Sequence, residues 1–251
     1  MRNPLVSTII PAYNSELFLA DAVESIRQQA YDPMEIIIVD DGSTDKTREI
    51  ANSFKGTVRY IYQENSGPAS AHNAGLRMAD GDLIAFLDAD DLWAQNRLGP
   101  QIARLESDRS VDIVLGLTQR MYLKRLLDSK FVFEASSIPW VALTFGSAIF
   151  RRHVFERIGF FDETMMFGED VDWFMRAREQ GIRMIFLKQV TLFYRVHRDN
   201  LTNDSVTRDR YFMKAIKKSL DRRRQRDGSV SAFPKIHELD DIAKELHDTG
   251  N

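Results

Sequence analysis

Apolar residues in the first ninety positions follow two alternating patterns. Short continuous apolar runs have the length and composition of buried parallel strands. The stretches between them repeat apolar residues at i, i+3, i+4 and i+7, which predicts helices with one buried face. The predicted strands are residues 5–11, 35–40, 58–63 and 83–88. This alternation is typical of an α/β sheet with helices on its faces.

Polar residues suited to helix ends precede these helical repeats. Asn14 or Ser15 can cap the first predicted helix, and the Ser-Thr-Asp run at 43–45 can cap the second. A third helix is expected to begin at Pro68, because the first helical position needs no hydrogen-bonding amide. The capping signals therefore agree with the periodicity.

The pattern continues less regularly between residues 101 and 196. A helix is predicted at 101–106, and strands are predicted at 111–117 and 145–150. Residues 118–139, which include Arg120, Lys124 and Arg125, predict either a hairpin or a mobile segment. The remaining elements are a short helix ended by Gly159, a helix over 169–180 stopped by Gly181, and strands at 184–187 and 192–196.

The composition changes after residue 210. Phe212, Ile216 and Leu220 predict a helix that begins near Tyr211, and residues 228–231 have the composition of a linker. The apolar repeat at 239–246 predicts a last amphipathic helix. We therefore expect a main domain over residues 1–210 and a C-terminal helical extension over residues 211–251.

Composition narrows the classes of protein to which the chain can belong. Its 251 residues, 43% hydrophobic and 28% charged, suffice for one globular domain with an appendage. A net charge of −3 provides no basic field, so no nucleic-acid partner is expected. The absence of cysteine excludes disulfides, thiolate metal sites and cysteine nucleophiles. Neither a signal-peptide pattern nor a run of about 20 apolar residues is visible, which predicts a cytoplasmic location.

Acidic residues at the ends of two predicted strands suggest a metal site. Asp40 and Asp41 end the second strand, and Asp88 and Asp90 follow the fourth. Ligands of open α/β sheets bind beyond the carboxyl ends of the strands. Carboxylates gathered there repel one another unless a cation compensates, and oxygen ligands favour Mg²⁺ or Mn²⁺. The alternative is that the Asp-Ala-Asp-Asp run at 88–91 simply caps the following helix.

Four motifs in a fixed order make a more specific signal. They are VSTIIPAYN at 6–14, IIVDDGSTD at 37–45, NSGPASAHNAG at 65–75 and FLDADD at 86–91. Together they resemble family 2 of the inverting glycosyltransferases, with matches over residues 5–92 that continue to about residue 203. The resemblance implies the GT-A fold, a single Rossmann-like mixed sheet flanked by helices. It also implies transfer of a sugar from a nucleoside-diphosphate donor.

By this resemblance, the ends of the first two strands would hold the nucleobase and ribose of the donor. Asp88 would face the ribose or sugar, and Asp90 would bind the metal that bridges the two phosphates. A carboxylate can accept the N3 proton of uracil, which favours a UDP-sugar. The residues expected to contact the nucleotide-sugar are Pro11, Ala12, Tyr13, Glu16, Asp40, Asp41, His72, Asn73, Arg77, Asp88, Ala89, Asp90 and Arg195.

Two further motif positions indicate which groups would neutralise the negative charge of the donor diphosphate. Members of the family often carry arginine where this chain has His72, so neutralisation here would fall to Arg77, to Arg195 or to the metal alone. The YRVH run at 194–197 resembles the family's late Arg-x-His element. His197 would then be a second metal ligand, although a lone histidine is also often a surface residue.

The acceptor half is expected around residues 168–173, where GEDVDW resembles the family's Glu-Asp element. The aspartate of that element deprotonates the acceptor hydroxyl, which assigns the base to Asp170. Glu169, Trp173, Gly146 and Ser147 would line the acceptor site. Two alternatives stay open: the acids are simply favourable in the first turn of a helix, and Trp173 belongs to the core.

The implied reaction is one displacement with inversion at the anomeric carbon. A Mg²⁺-dependent phosphohydrolase or phosphotransferase is the nearest rival, but such enzymes usually place the Asp-x-Asp pair on the first strand. A nucleotide-sugar-binding protein without turnover is the non-enzymatic alternative. A dinucleotide oxidoreductase is disfavoured, since no Gly-x-Gly-x-x-Gly follows the first strand.

The expected partners are the nucleotide-sugar donor and a saccharide or lipid-linked acceptor. The basic C-terminal helix could place the protein at the inner face of an anionic membrane, or it could be a solvated helix face. The last helix could pair with a second subunit to form a homodimer. The basic residues are Lys214, Lys217, Lys218, Arg222, Arg223, Arg224 and Arg226.

Overall fold

The computed structural model describes residues 2–127, 130–136, 138–198 and 200–227. The strands in these ranges are β1 (Val6–Ala12), β2 (Met34–Asp41), β3 (Val58–Gln63), β4 (Leu83–Phe86), β5 (Leu92–Trp93), β6 (Ile113–Leu127), β7 (Lys130–Ala135), β8 (Ala148–Arg151) and β9 (Met184–Val196). They form one mixed sheet in the order β3-β2-β1-β4-β8-β6-β9-β5, with β7 paired to β6. The helices are α1 (Leu19–Arg27), α2 (Thr47–Ser53), α3 (Pro68–Met78), α4 (Leu98–Ser107), α5 (His153–Ile158), α6 (Glu169–Glu179) and α7 (Ser205–Asp227).

Helices cover both faces of the sheet because its central strands are apolar on both sides. Ile9 and Ile37 point to the face on which α3 and α6 pack. Ile10 and Ile38, their neighbours in sequence, point to the opposite face, which α1 and α4 cover. Successive strand residues alternate between faces, so a continuous apolar run fills two core layers.

The first four strands run in one direction and therefore end at one edge. β1 pairs in parallel with both β2 and β4, and β2 pairs in parallel with β3. β8 is antiparallel to both β4 and β6 and so reverses the direction in the middle of the sheet. The carboxyl ends of β1, β2 and β4 consequently form a common rim.

The local predictions for the first half are largely confirmed. The four strands lie where they were predicted, although β4 ends at Phe86, and α3 begins at Pro68. The N-cap of α2 is Lys46, one residue after the predicted run at 43–45, but Asp45 Oδ1 accepts the amide of Thr47, the first helical residue, at 2.9 Å. The predicted cap of the first helix was wrong: the Ser15 hydroxyl donates to the Tyr13 carbonyl, and α1 begins only at Leu19.

In the second half, long-range pairing extends several predicted elements. The hairpin alternative for residues 118–139 is confirmed, since β6 runs through this segment and pairs with β7. The two strands predicted at 184–187 and 192–196 are one strand, β9, because it pairs in parallel with β6 along most of its length. The predicted strand at 145–150 begins with a 3₁₀ turn, Phe145–Ser147, before β8. Gly159 and Gly181 end their helices with φ of 84° and 70°.

The C-terminal helix departs from the expected domain boundary. α7 begins at Ser205, so position 210 lies inside a helix that packs against α6. The linker predicted at 228–231 and the helix predicted at 239–246 lie outside the described residues. Within the described ranges, no helix combines the length and the apolar character needed to cross a membrane.

Candidate active site

The common rim of β1, β2 and β4 carries the acidic residues that the sequence singled out. Ala12 at the end of β1 is the register partner of Asp40, and Asp88 follows β4 by two residues on the other side of β1. The start of α6 lies near the same loop: the negative charge of Asp170, its second residue, contributes to raising the pKa of Asp88. Asp88, Asp90 and Asp170 therefore form one cluster, and Asp40 lies farther along the same rim.

The environment of this cluster favours neutral carboxyls or a nearby cation. Removal from bulk water, together with the negative charges of Asp90 and Asp170, raises the pKa of Asp88 to about 7. The Asp88 side chain still meets solvent, so it lies in a cleft and not in the core. Burial raises the pKa of Asp170 to about 6, although the amides of Val171 and of Asp170 itself act in the opposite direction. A divalent cation would relieve this mutual repulsion.

Asp90 and His197 supply two adjacent donor atoms of the kind that bind Mn²⁺ or Mg²⁺. His197 Nε2 lies 3.0 Å from Asp90 Oδ2, and Asn200 Nδ2 lies 3.3 Å from the same oxygen. The His197 amide donates to Asn200 Oδ1 at 2.6 Å, which fixes the loop after β9. Across the part of the chain that the structure describes, no three or more His, Asp or Glu side chains converge as a complete metal site. An Asp90–His197 pair is consistent with a metal that also takes phosphate oxygens from the donor.

Arg195 is buried and hydrogen-bonds to the loop that carries Asp90 instead of facing the cleft. Its amide donates to Asp91 Oδ1 at 2.9 Å, and its guanidinium donates to the carbonyl oxygens of Asp90, Asp91 and Phe18. Arg195 Nη1 also pairs with Asp21 at 3.2 Å. The expectation that Arg195 binds the diphosphate is therefore corrected: its donors are occupied in holding the loop that carries Asp90.

Asp40 and Asp41 are both buried and shape the neighbouring loops. Asp40 Oδ1 accepts the Ser43 amide at 2.9 Å, and its Oδ2 accepts the Tyr60 hydroxyl at 2.6 Å. Asp41 accepts the amides of Ser66 and Gly67, each at 2.9 Å, and so fixes the start of α3. Any contact with a nucleobase would have to use lone pairs that these bonds leave over.

The remaining residues predicted at the nucleotide end differ in accessibility. The Tyr13 side chain is 53% exposed at the rim, where it is available to stack on a base. Ala12 and Ala89 are buried, so their backbone groups alone could contact a donor, and Pro11 is partly buried. Glu16 Oε2 accepts the Lys46 amide at 3.0 Å, which ties the loop before α1 to the start of α2.

Three residues of α3 that were predicted to contact the donor lie elsewhere. His72 is buried in an aromatic cluster, and its ring centroid lies 4.9 Å from that of Phe161. Asn73 is buried and exchanges hydrogen bonds with the backbone of Phe161. Arg77 lies in the last turn of α3, far from its rim end, over the ring of Phe160. The prediction that these three side chains contact the donor is therefore corrected. The helix turns His72 and Asn73 toward the core and places Arg77 at its far end.

The acceptor residues predicted around β8 and α6 are also buried. Trp173 is fully buried among phenylalanines, and its Nε1 donates to the Gly159 carbonyl at 3.0 Å, so the core alternative is correct. The Ser147 hydroxyl donates to the Thr144 carbonyl at 3.2 Å, and the Gly146 carbonyl accepts a hydrogen bond from buried Arg97. The prediction that Gly146, Ser147 and Trp173 contact the acceptor is therefore corrected. Glu169 lies beside Asp170, and its side chain is 13% exposed.

Sequence reasoning missed the residues that hold Asp90 and His197 in place. Asn200 is the clearest case: it lies three residues after His197 and bonds to both members of the pair. Phe18 is another, since its ring centroid lies 4.4 Å from that of His197. The short spacing between His197 and Asn200 is a local signal that could have indicated the first. No local signal connects Phe18 to residues almost 180 positions later.

Comparisons with known proteins identify sequence relatives of the chain. Residues 7–159 match the sequence model of the family described as glycosyl transferase family 2. An uncharacterized glycosyltransferase of Rickettsia typhi is 33% identical over 222 residues, which cover 81% of this chain and 68% of that protein. The uncharacterized glycosyltransferase EpsJ of Bacillus subtilis is 29% identical over 221 residues, covering 79% of this chain and 63% of EpsJ.

Solved structures show the same fold. S. aureus TarS 1–349 in complex with UDP-GlcNAc superposes with a TM-score of 0.71 at 20% identity, over 96% of this chain and 71% of that chain. The mannosyltransferase PcManGT of Pyrobaculum calidifontis, in complex with GDP-Man and Mn²⁺, superposes with a TM-score of 0.69 at 22% identity, over 99% of this chain and 69% of that chain. The mixed sheet flanked by helices is thus the GT-A fold.

The chain belongs to glycosyl transferase family 2, since the family match covers residues 7–159 of its 251 residues. It is a glycosyltransferase, as the sequence motifs predicted.

Proposed function

We propose that the protein is an inverting glycosyltransferase that moves a sugar from a nucleoside-diphosphate donor, preferably UDP-linked, to an acceptor hydroxyl. The observation that carries the proposal is the contact of His197 Nε2 with Asp90 Oδ2 at 3.0 Å, in the loop after β4 that also carries Asp88. The negative charge of Asp170, at the start of α6, acts on Asp88, which indicates that a candidate base lies near this loop. The Asp90–His197 pair belongs to the same loop cluster, so a base and a metal site would flank one substrate.

The residues present fit a divalent cation. A carboxylate oxygen and an imidazole nitrogen 3.0 Å apart are chemically suited to Mn²⁺ or Mg²⁺, and the surrounding carboxyls need a positive charge. Asp90 and His197 would hold the ion, and donor phosphate oxygens would complete its coordination. Bound there, the cation would supply Lewis acidity to the leaving diphosphate. Arg195 fixes the backbone of Asp90 through its carbonyl and so sets the position of this ligand.

Asp170 is placed to act as the general base. Its Oδ1 accepts the Val171 amide at 2.7 Å, which fixes the carboxylate at the positive end of α6. With a pKa of about 6, Asp170 is mostly ionised at neutral pH and can take a hydroxyl proton. The acceptor oxygen then bonds to the anomeric carbon as the bond from that carbon to the diphosphate oxygen breaks. The proton stays on Asp170, the electron pair leaves with the diphosphate, and the configuration inverts.

Several observations favour a uridine donor and argue against a phosphohydrolase. The exposed Tyr13 suits a pyrimidine base by stacking, and Asp40, the register partner of Ala12, would accept the N3 proton through a lone pair that its bonds to Ser43 and Tyr60 leave over. The similar TarS structure holds UDP-GlcNAc and the similar PcManGT structure holds GDP-Man. Against a phosphohydrolase, Asp88 and Asp90 follow β4 instead of the first strand.

A donor screen tests the proposal. The chain would be heated with UDP-GlcNAc, GDP-Man, UDP or GDP, each with and without Mn²⁺, and release of free UDP would be followed in parallel. We expect UDP compounds to raise the melting temperature only with Mn²⁺, since a ligand at 100 times its Kd stabilises by about 2.7 kcal/mol. Hydrolysis of p-nitrophenyl phosphate without UDP release would instead support the phosphohydrolase, and binding without release would support a binding protein.

Contact with an anionic membrane is proposed through a narrower set of residues than the sequence indicated. Lys214, Lys218 and Arg222 are used inside the protein: they bond to the Thr164 carbonyl, to Asp162, and to Asp172 with Glu179. The outward stripe of α7 alternates apolar and basic exposed residues at helical spacing. These are Val206, Arg210, Met213, Lys217 and Arg224. Such a stripe suits a lipid surface, where a lipid-linked acceptor would reside.

Vesicle binding tests this contact. We expect the protein to sediment with phosphatidylglycerol vesicles and not with phosphatidylcholine vesicles, and Arg210→Glu/Lys217→Glu to abolish sedimentation. Arg48→Glu/Lys55→Glu, at two exposed sites distant from α7 in sequence, is the charge-matched control. Equal binding by all three proteins would contradict the proposal. The homodimer through the last helix remains a prediction that size measurements in solution can check.

A further inference from the structure

His72 is a buried polar residue whose environment is unusual. Its side chain is 5% exposed, and its ring packs against Phe161 and, edge to face, against Phe86. Neither ring nitrogen has a hydrogen-bond partner of normal geometry. Buried polar groups without partners are rare because the lost solvation is not recovered. The side chain therefore needs a role that its packing does not provide.

The nearest ionisable group to this imidazole is the carboxyl of Glu169. Glu169 Oε1 lies 3.8 Å from His72 Nδ1, a distance that a small side-chain rotation would convert into a hydrogen bond. Glu169 is the first residue of α6 and the immediate neighbour of Asp170. His72 on α3 thus touches the acceptor end of the cleft through Glu169, although it is closed off from the donor.

We propose that His72 is a positioning residue of the acceptor site: it holds the Glu169 carboxyl as a neutral hydrogen-bonding partner for an acceptor hydroxyl beside Asp170. This assignment rests on the proposed function, since it takes Asp170 as the base. It also restricts the acceptor. The charges of Asp170 and Asp88 would repel a phosphate or carboxylate at this position, whereas a neutral Glu169 can hydrogen-bond, so the group bound there is an uncharged, hydroxyl-bearing sugar end.

The protonation states of the pair agree with this geometry. Burial lowers the pKa of His72 to about 4, with the Pro68 carbonyl acting weakly in the opposite direction, so the ring is neutral. Burial raises the pKa of Glu169 to about 8, and the charges of Asp170 and Asp88 contribute, while its own amide opposes. The charged groups facing Glu169 are thus Asp170 on α6 and Asp88 after β4. A protonated Glu169 can donate to His72 Nδ1 or to a sugar hydroxyl.

Nuclear magnetic resonance of the histidine rings tests the pairing without any substrate. Imidazole ¹⁵N shifts would be followed from pH 5 to pH 9 in the full chain and in Glu169→Gln, with His72→Phe used to assign the His72 signals. We expect His72 to stay neutral throughout and its Nδ1 signal to move near pH 8 in the unmodified chain but not in Glu169→Gln. His153, which pairs with Asp112 at the surface, is the internal control. Identical His72 signals in both proteins would overturn the pairing.

Kinetics then test the role in acceptor binding. Transfer from UDP-GlcNAc to a panel of p-nitrophenyl glycosides would be measured for His72→Phe and for His72→Asn, whose side-chain oxygen can accept a hydrogen bond in place of Nδ1. We expect His72→Phe to raise the acceptor KM about tenfold, the value of roughly one hydrogen bond, and His72→Asn to restore most of it, because the Asn side-chain oxygen can accept the Glu169 proton in place of Nδ1. The melting-temperature rise with UDP and Mn²⁺ should be the same in all forms. An unchanged acceptor KM in His72→Phe would overturn the role, whereas absence of any UDP response in the unmodified chain would count against the proposed function itself.

Discussion

His197 Nε2 lies 3.0 Å from Asp90 Oδ2, although 107 residues separate the two in the chain. The contact joins the loop after β4 to the end of β9, two strands that are not neighbours in the sheet. Asn200 and Arg195 hold the two sides of the contact from the same strand end. The metal-binding function proposed for this enzyme depends on that long-range arrangement, and it can be tested by substitution.

Removing either member of the pair should weaken the metal site. We expect Asp90→Asn and His197→Ala each to lower the apparent Mn²⁺ affinity by about 10–100-fold or more, because loss of even a supporting residue of a metal site costs that much. The measurement is the Mn²⁺ concentration that gives half of the melting-temperature rise with UDP. His153→Ala removes a surface histidine and serves as the control. Unchanged Mn²⁺ dependence in both variants would assign the metal elsewhere.

Asp170→Asn should separate catalysis from binding. We expect the transfer rate to fall by about 10²–10⁴-fold, the usual contribution of a positioned base, while UDP and Mn²⁺ still raise the melting temperature. Initial rates of UDP release with a saturating acceptor measure the first effect. Asp209→Asn, an exposed aspartate on α7, is the matched control. A loss of less than threefold would remove Asp170 from the mechanism.

The pH profile of transfer should report the same base. Burial raises the pKa of Asp170 to about 6, and the base must be ionised to accept a proton, so activity is lost as the pH falls through that value. We expect kcat/KM for the acceptor to fall about tenfold per pH unit below about pH 6. Rates measured between pH 5 and pH 8 at saturating donor would show it. A flat profile down to pH 5 would be incompatible with Asp170 as the base.

Arg195→Met should destabilise the loop that carries Asp90. The substitution removes the guanidinium donor to the carbonyls of Asp90 and Asp91, whereas the Phe18 carbonyl keeps the Ala22 amide as a donor, and an unsatisfied buried group costs about 1–3 kcal/mol. We expect the free energy of unfolding in urea to fall by about 2–4 kcal/mol, allowing for partial rehydration. Arg27→Met, on the exposed face of α1, should change it by less than about 0.5 kcal/mol. Equal stability of the two variants would contradict the role assigned to Arg195.

Arg222 should be required for the attachment of α7 to α6. Its guanidinium bonds to Asp172, which is buried, and to both carboxylate oxygens of Glu179. We expect Arg222→Ala to lower the free energy of unfolding by about 1–2 kcal/mol, less than for a fully buried pair because Arg222 is partly exposed. Lys217→Ala on the outward stripe is the control. A chain that ends at residue 210 should be destabilised further, and normal stability of that chain would restore the boundary that the sequence suggested.

The local sequence pattern was sufficient to predict the helices and strands of the first half of the chain and the acidic residues at the strand ends. Short apolar runs placed β1 to β4, and the proline at 68 placed the start of α3, because backbone preference and burial act over a few residues. The acidic pairs after β2 and β4 were visible for the same reason. The motif order then sufficed to identify the family.

Only the tertiary structure decided which polar side chains face the cleft. His72, Asn73, Ser147, Trp173 and Arg195 carry chemistry suited to a site, yet all are buried. Their direction depends on which helix face meets the sheet and on which strands pair, and the length of β9 and the start of α7 were set in the same way. A sequence motif specifies residue type and spacing, whereas the direction of a side chain follows from packing between segments that lie far apart in the chain. For this reason the sequence determined the family, the first four strands and the acidic rim, and it named Asp90 and His197 as candidate partners, whereas the fold alone decided that Arg195 is buried against the backbone of the loop that carries Asp90.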